Sequence, residues 1–107
     1  MPTTEKIYLT DSVGELGVRG EDGDRLYDRL LSLLSKGKIV EVSFKNVRVL
    51  TTHFLNSAFG QLYGAFEQNA LRTQLYFTDI DEYNVRLLKI VMENARLHFK
   101  CIKNPIT

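Results

Sequence analysis

Tryptophan is absent from the chain, and cysteine occurs once, at Cys101. A lone thiol cannot close an internal disulfide, so a stapled secreted scaffold is excluded. No N-terminal stretch reads as a signal peptide, and the expected setting is a reducing, cytoplasmic one. Long apolar runs are missing too. None approaches the roughly 20 residues needed to span a bilayer. Charge of one sign is also lacking: 14 basic residues face 13 acidic ones, for a net charge of +1. Such a surface has no field that would draw nucleic acid or an acidic membrane, and neither is expected as a partner. Histidine occurs only at His53 and His98. With a single cysteine, these give no metal-ligand spacing, and no metal or cofactor is expected.

What the chain does have is enough material for one domain with a single core over residues 1–107. It is organised around residues 39–66. Val40, Val42 and Phe44 alternate with Glu41, Ser43 and Lys45, the period of a strand with one buried face. Asn46 breaks the alternation, and Val47, Val49 and Leu50 lead back toward the core. At Thr51 and Thr52 the period changes. Leu55, Ala58, Phe59, Leu62, Ala65 and Phe66 recur at helical spacing and should share one buried stripe.

The flanking segments repeat the alternation of strand and helix. Residues 6–10 read as a short strand with Ile7 and Leu9 on one face. Glycines at 14, 17, 20 and 23 follow, but the spacing is neither GxGxxG nor a Walker motif. A connecting turn or hairpin is expected there, with Arg19 the one residue able to meet a phosphate. Asp22 or Asp24 is expected to cap a helix carrying Leu26, Leu30, Leu33 and Leu34 inward, and Gly37 to stop it. Beyond residue 66, a polar turn over 67–73 should precede a third strand at 74–78. Asp79 and Glu82 resemble a capping box for a last helix with Val85, Leu87, Leu88, Val91, Met92 and Ala95 along its buried side. That helix should end near Arg96 or Leu97, leaving 98–107 as an edge strand or a loose tail stopped by Pro105. Strands separated by helices imply an α/β fold with right-handed crossovers and a small, mostly parallel sheet.

Residues 42–55 and this order of elements resemble the STAS family, the domain of anti-anti-sigma factors and sulphate transporter tails. They are closer still to the small bacterial STAS-like relatives. In anti-anti-sigma members a strand ends in Asp-Ser-Ser/Thr-Gly, which opens a helix, and the first serine is phosphorylated by a partner kinase that is also the anti-sigma factor. Thr52 falls where that serine would sit and Thr51 where the aspartate would sit. Thr51, Thr52 and Phe54 fit better the Thr-Ser-x-Phe arrangement of the STAS-like relatives. The acidic residue is missing, and Phe54 replaces the glycine. The resemblance implies a regulatory binding domain whose partner is a histidine-kinase-like ATPase or anti-sigma factor, with Thr52 as phosphoacceptor.

The residues themselves leave two uses for the switch point. Thr51 or Thr52 can simply cap the helix. A phosphate on Thr52 would add about two negative charges to an outward surface. Phe54, Ser57, Gln61 and Gly64 are expected on the outer side of the helix, with Thr51, Thr52, His53 and Phe54 at its start, and this set is the expected partner-binding surface. Gly60 and Gly64, four residues apart, allow close packing either by another element of the domain or by a partner. No acidic residue lies near His53 in sequence to orient it as a catalytic base, so a non-catalytic role is expected. The alternative is an anion-binding domain or enzyme using Arg19, Thr51, Thr52 and His53. Self-association through an edge strand is a third reading.

Overall fold

The computed structural model describes residues 3–13, 16–17 and 19–103. Gly14 and the expected stop at Pro105 lie outside the described residues. Strand β1 (Thr4–Tyr8) leads into a short helix α1 (Leu9–Val13), a two-residue strand β2 (Leu16–Gly17) and helix α2 (Gly20–Ser35). Strand β3 (Ile39–Ser43) follows, then β4 (Val49–Leu50). A continuous helical stretch comes next: α3 (Thr52–Leu55), a π-helical segment (Asn56–Gly60) and α4 (Leu62–Ala65). Helix α5 (Gln68–Gln74), strand β5 (Leu75–Thr78) and the long helix α6 (Glu82–Lys103) complete the chain.

Three strands form a parallel sheet in the order β1–β3–β5, and β2 pairs separately with β4, also in parallel. This is the α/β architecture expected from the alternation of periods. In the main sheet Ile7 lies opposite Val42, and Val42 opposite Phe77, so one face is a continuous apolar layer. Lys6, Glu41 and Tyr76 share a row on the other face, where Lys6 pairs with Glu41 at 3.4 Å. Helices cover the apolar face. The core joins Val40, Val42 and Phe44 to Leu26, Leu30 and Leu34 of α2, to Phe54, Leu55, Phe59 and Leu62, and to Leu88 and Val91 of α6. At its centre Phe59 meets Phe77 edge-on at 5.1 Å.

Several boundaries differ from the sequence reading. The first strand starts at Thr4 and ends at Tyr8; Leu9 and Thr10 are already helical, although Leu9 is buried as expected. The glycine-rich stretch is not a hairpin, because Gly17 pairs in a parallel strand while Gly20 and Gly23 sit inside α2. Arg19 occupies the N-cap of α2, with no side-chain cap bond, so neither Asp22 nor Asp24 caps it. Asp22 instead pairs with Arg25 one turn on.

Gly37 does stop α2, at a φ of 76° that favours glycine. The stretch expected as a polar turn is helix α5; its single buried residue, Leu71, leaves no stripe to read. The last helix is capped by Asp81, whose Oδ1 accepts from Asn84 N at 2.7 Å, and not by Asp79. It runs on to Lys103, past the expected end at Arg96 or Leu97.

Candidate functional site

The site begins with the pairing of β2 and β4. Leu16 lies opposite Val49 and Gly17 opposite Leu50, so the two segments leading into α2 and α3 run side by side. The two helix starts therefore meet. A Cβ added to Gly20 would stand 2.3 Å from Nε2 of His53, which places the imidazole directly on the first residue of α2. Arg19 and His53, far apart in sequence, are thus neighbours along the backbone of the fold.

Thr51 is the N-cap of α3. It has extended dihedrals (φ −116°, ψ 156°), and its Oγ1 accepts from Phe54 N at 3.1 Å. Its carbonyl accepts from Leu55 N at 3.0 Å. The capping role that either threonine could have taken falls to Thr51. Thr52 is the first helical residue, and its exposed hydroxyl is not needed for the cap. His53 is exposed as well. Together with Asn56 they form one wall of an open depression of about 380 Å³, faced by Ile90, Val91 and Asn94 of α6. Among the described residues no carboxylate and no lysine lines it.

Beyond this start the helix passes through the π segment. Gln61 N reaches back five residues to Asn56 O at 3.1 Å, so the helix gains one residue in that turn. With α2 on one side and α6 on the other, little of the helix is left outward. Phe54, expected as an exposed anchor, is completely buried. Ser57 faces α2, where a Cβ on Gly23 would come within 2.7 Å of its own Cβ. Gln61 also turns to α2, its Nε2 donating to Asp24 Oδ1 at 3.1 Å and to Ser57 O at 2.9 Å.

Gly60 and Gly64 are met from within the domain. A Cβ on Gly60 would lie 3.3 Å from the Cβ of Ala95, and one on Gly64 would lie 2.8 Å from the ring of Phe99. The close packing these glycines allow is taken up by α6. Of the expected set, Thr52, His53 and Gly64 are exposed; the depression at the helix start adds Asn56, Ile90 and Asn94, which the sequence reading did not include. Ile90 carries a signal: it is 58% exposed and stands off the buried stripe of Leu88, Val91 and Ala95. A single exposed isoleucine is ordinary on a protein surface; what distinguishes Ile90 is its place opposite Thr52 in the depression.

The family model described as a STAS-like domain of unknown function (DUF4325) matches residues 22–85. The chain belongs to this STAS-like family. The matched segment of the STAS-like domain runs from the first turn of α2 to the first turn of α6 and contains β3, the Thr51 cap and β5. No curated protein and no solved structure matches the chain. Among the described residues there is no group of three or more His, Cys, Asp or Glu placed to hold a metal ion. No helix among them is long and apolar enough to cross a membrane.

Proposed function

We propose that this STAS-like domain is a regulatory protein-docking module, and that its docking surface is the depression between the start of α3 and the middle of α6. The observation that carries this reading is Thr52. Its hydroxyl is exposed at a helix start, its neighbour has taken over the cap, and an exposed apolar residue, Ile90, stands across from it. The depression is open, and among the described residues its lining offers hydrogen-bonding side chains with one imidazole, His53, but no carboxylate beside it to orient that ring as a base. That chemistry suits recognition of a protein surface better than turnover of a small substrate.

Family resemblance supplies the partner class, an ATPase of the histidine-kinase-like or anti-sigma type. Thr52 is the modifiable group. A phosphate there would sit at the positive end of α3 and remain compatible with the helix, while placing about two negative charges beside Ile90. Docking by the unmodified face would then be reversed by charge and desolvation.

A photo-crosslinking side chain at Asn94, with a control at Tyr83, tests the surface in cells of the source organism. An ATPase captured at Asn94 and not at Tyr83, and lost in Thr52→Glu, is the expected result. Phosphopeptide mapping after incubation with that ATPase should place label on Thr52. Label elsewhere, or capture unaffected by Thr52→Glu, would remove the switch.

The contact of His53 with Gly20 favours one competing use, an anion held among Arg19, Thr51, Thr52 and His53. A thermal-shift screen of the isolated chain against nucleotides and phosphorylated metabolites separates the two. The docking reading expects no shift in the absence of a partner protein.

A further inference from the structure

On the far side of α6 from Thr52 lies a larger hollow that the docking surface does not use. Strand β5 is the last strand of the sheet. Helix α5 packs on β5, β3 and α4, while α6 packs on α3, the π segment and α4. Between them a cleft of about 780 Å³ reaches down to the sheet. This is within the usual size range of small-molecule sites, roughly 300–1,000 Å³. Phe77, Leu88 and Met92 give it an apolar floor and wall. Phe77 is only half-buried, although the same ring packs on Phe59 and Phe44 in the core. An aromatic of the central cluster is thus open to the cleft.

The rim is cationic. Arg72 of α5 and Lys89 of α6 line the cleft from two different helices. The acidic residue beside them, Glu93, is engaged elsewhere, because its carboxylate accepts from both Nε and Nη2 of Arg96. Tyr63 also lines the cleft. Burial and the Glu93 carboxylate raise its phenol above the usual value, while Arg96 and Arg72 act in the opposite sense. Tyr63 and Arg72 therefore lie in one another's field at the mouth of the site.

We propose that this cleft binds a free single-chain aliphatic carboxylate, its tail against Phe77, Leu88 and Met92 and its head group between Arg72 and Lys89. Burial of the chain supplies the driving force. Two cations against one committed carboxylate supply the preference for an anionic head. A cationic amphiphile of equal length would meet like charge at the rim, and a neutral alcohol would forgo the charged contacts.

The full chain is titrated with decanoate, decanol and decyltrimethylammonium, followed by ¹H–¹⁵N chemical shifts and thermal midpoint. Decanoate should bind saturably, with shifts clustered at Tyr63, Phe77 and Met92, and should bind more tightly than the other two. Arg72→Glu should weaken decanoate about tenfold and reverse the order of the charged probes. Met92→Trp, which fills the cleft, should abolish decanoate shifts while the thermal midpoint of the unliganded chain is kept. Equal affinity for all three probes, or shifts clustered at Ile90 and Thr52, would overturn the proposal. Vesicles of phosphatidylglycerol distinguish the source of the head group. Vesicle binding that Arg72→Glu removes would replace the free acid with a membrane lipid and so overturn the proposal.

Discussion

The hydroxyl of Ser43 donates to Oδ2 of Asp79 at 2.5 Å, joining the last residue of the central strand to the turn that leaves β5. Ser43 is completely buried, and its Oγ also accepts from Lys45 N at 3.3 Å. Beside it, Phe44 N donates to Thr78 O at 2.9 Å. Asp79 takes a φ of 54°, a left-handed backbone that aspartate adopts more readily than most L-residues. One serine thus fixes where both strands end. By alternation Ser43 belonged to the polar face with Glu41 and Lys45; it does, but the Asp79 turn covers it.

Removing that hydroxyl should be felt globally. Ser43→Ala removes the bonds to Asp79 and Lys45 from a fully buried position, though both partners are themselves exposed, and should cost about 1 kcal/mol. Urea unfolding measures this as a lower midpoint at an unchanged slope. A change below a few tenths of a kcal/mol would mean that water replaces the serine at no cost.

Gly20 and Gly23 lie in the same helix but should respond oppositely to alanine. Helix propensity alone favours alanine by about 1 kcal/mol within a helix, and by less at Gly20, the first residue of α2. At Gly20 the new methyl meets only the end of the exposed His53 ring, which can swing away, so Gly20→Ala should be neutral or stabilising. At Gly23 it meets the Phe54 carbonyl at 2.8 Å and the Ser57 Cβ at 2.7 Å, and backbone cannot yield so easily. Gly23→Ala should therefore lower stability, by about 1–3 kcal/mol, through overpacking. Thermal midpoints of the two variants, read side by side, check the contrast.

Phe54 decides whether the helix start is a core element or a docking anchor. Its side chain is fully enclosed beside Leu55 and Phe59. Phe54→Ala should cost about 3–5 kcal/mol, and Phe54→Leu about 1–2. Chemical denaturation of the leucine variant is the safer measurement, since the alanine variant approaches the whole stability of a small domain. A midpoint unchanged by either substitution would return Phe54 to the surface.

The same residue shows how far the sequence could be read. Strands β3 and β5, helix α2 and the buried stripe of α6 were legible because their apolar periods are clean and their neighbours Gly37 and Asn46 mark turns. Phe54 was misplaced although helical spacing sets it four residues before Ala58, inside the buried stripe. The π segment at Asn56–Gly60 adds a residue to the helix that no side chain announces, and beyond it Ala65, expected in the stripe, is exposed. Helix α5 was missed for a different reason: one buried leucine makes no stripe. The two faces now proposed for binding were invisible in sequence. Each joins residues of α6 to residues more than ten positions earlier, and only the packing of α6 across the sheet makes them neighbours. Of the expected contact set, Thr52, His53 and Gly64 kept an exposed position, while Ser57 and Gln61 were drawn into the seam with α2.

Acid should weaken one surface pair in a defined direction. Bonding from Arg96 holds the Glu93 carboxyl below its usual range. A carboxylate depressed in the folded state contributes stability above its unfolded pKa and loses it as pH falls through the folded value. Glu93→Gln should therefore be less stable than the parent near neutral pH, and the gap should close on acidification below the ordinary carboxylate range. The pair is exposed, so the gap will be small and should shrink further in high salt. A gap that widened with acid would show that another group controls this limb.

Thr51 and Thr52 are adjacent, chemically identical and assigned to different tasks, so exchanging them is the sharpest test of the site. Thr51 holds the cap through the Phe54 amide; Thr51→Ala removes it and should cost about 1 kcal/mol of global stability. Thr52 points outward from the first helical position, and Thr52→Ala should leave stability within about 0.5 kcal/mol of the parent. Docking should invert that order. Thr52→Glu should abolish partner affinity at nearly unchanged thermal midpoint, whereas Thr51→Ser, which keeps the capping oxygen, should preserve both. If Thr52→Ala unfolds the domain as readily as Thr51→Ala, the hydroxyl is structural and the proposed switch has no free group on which to act.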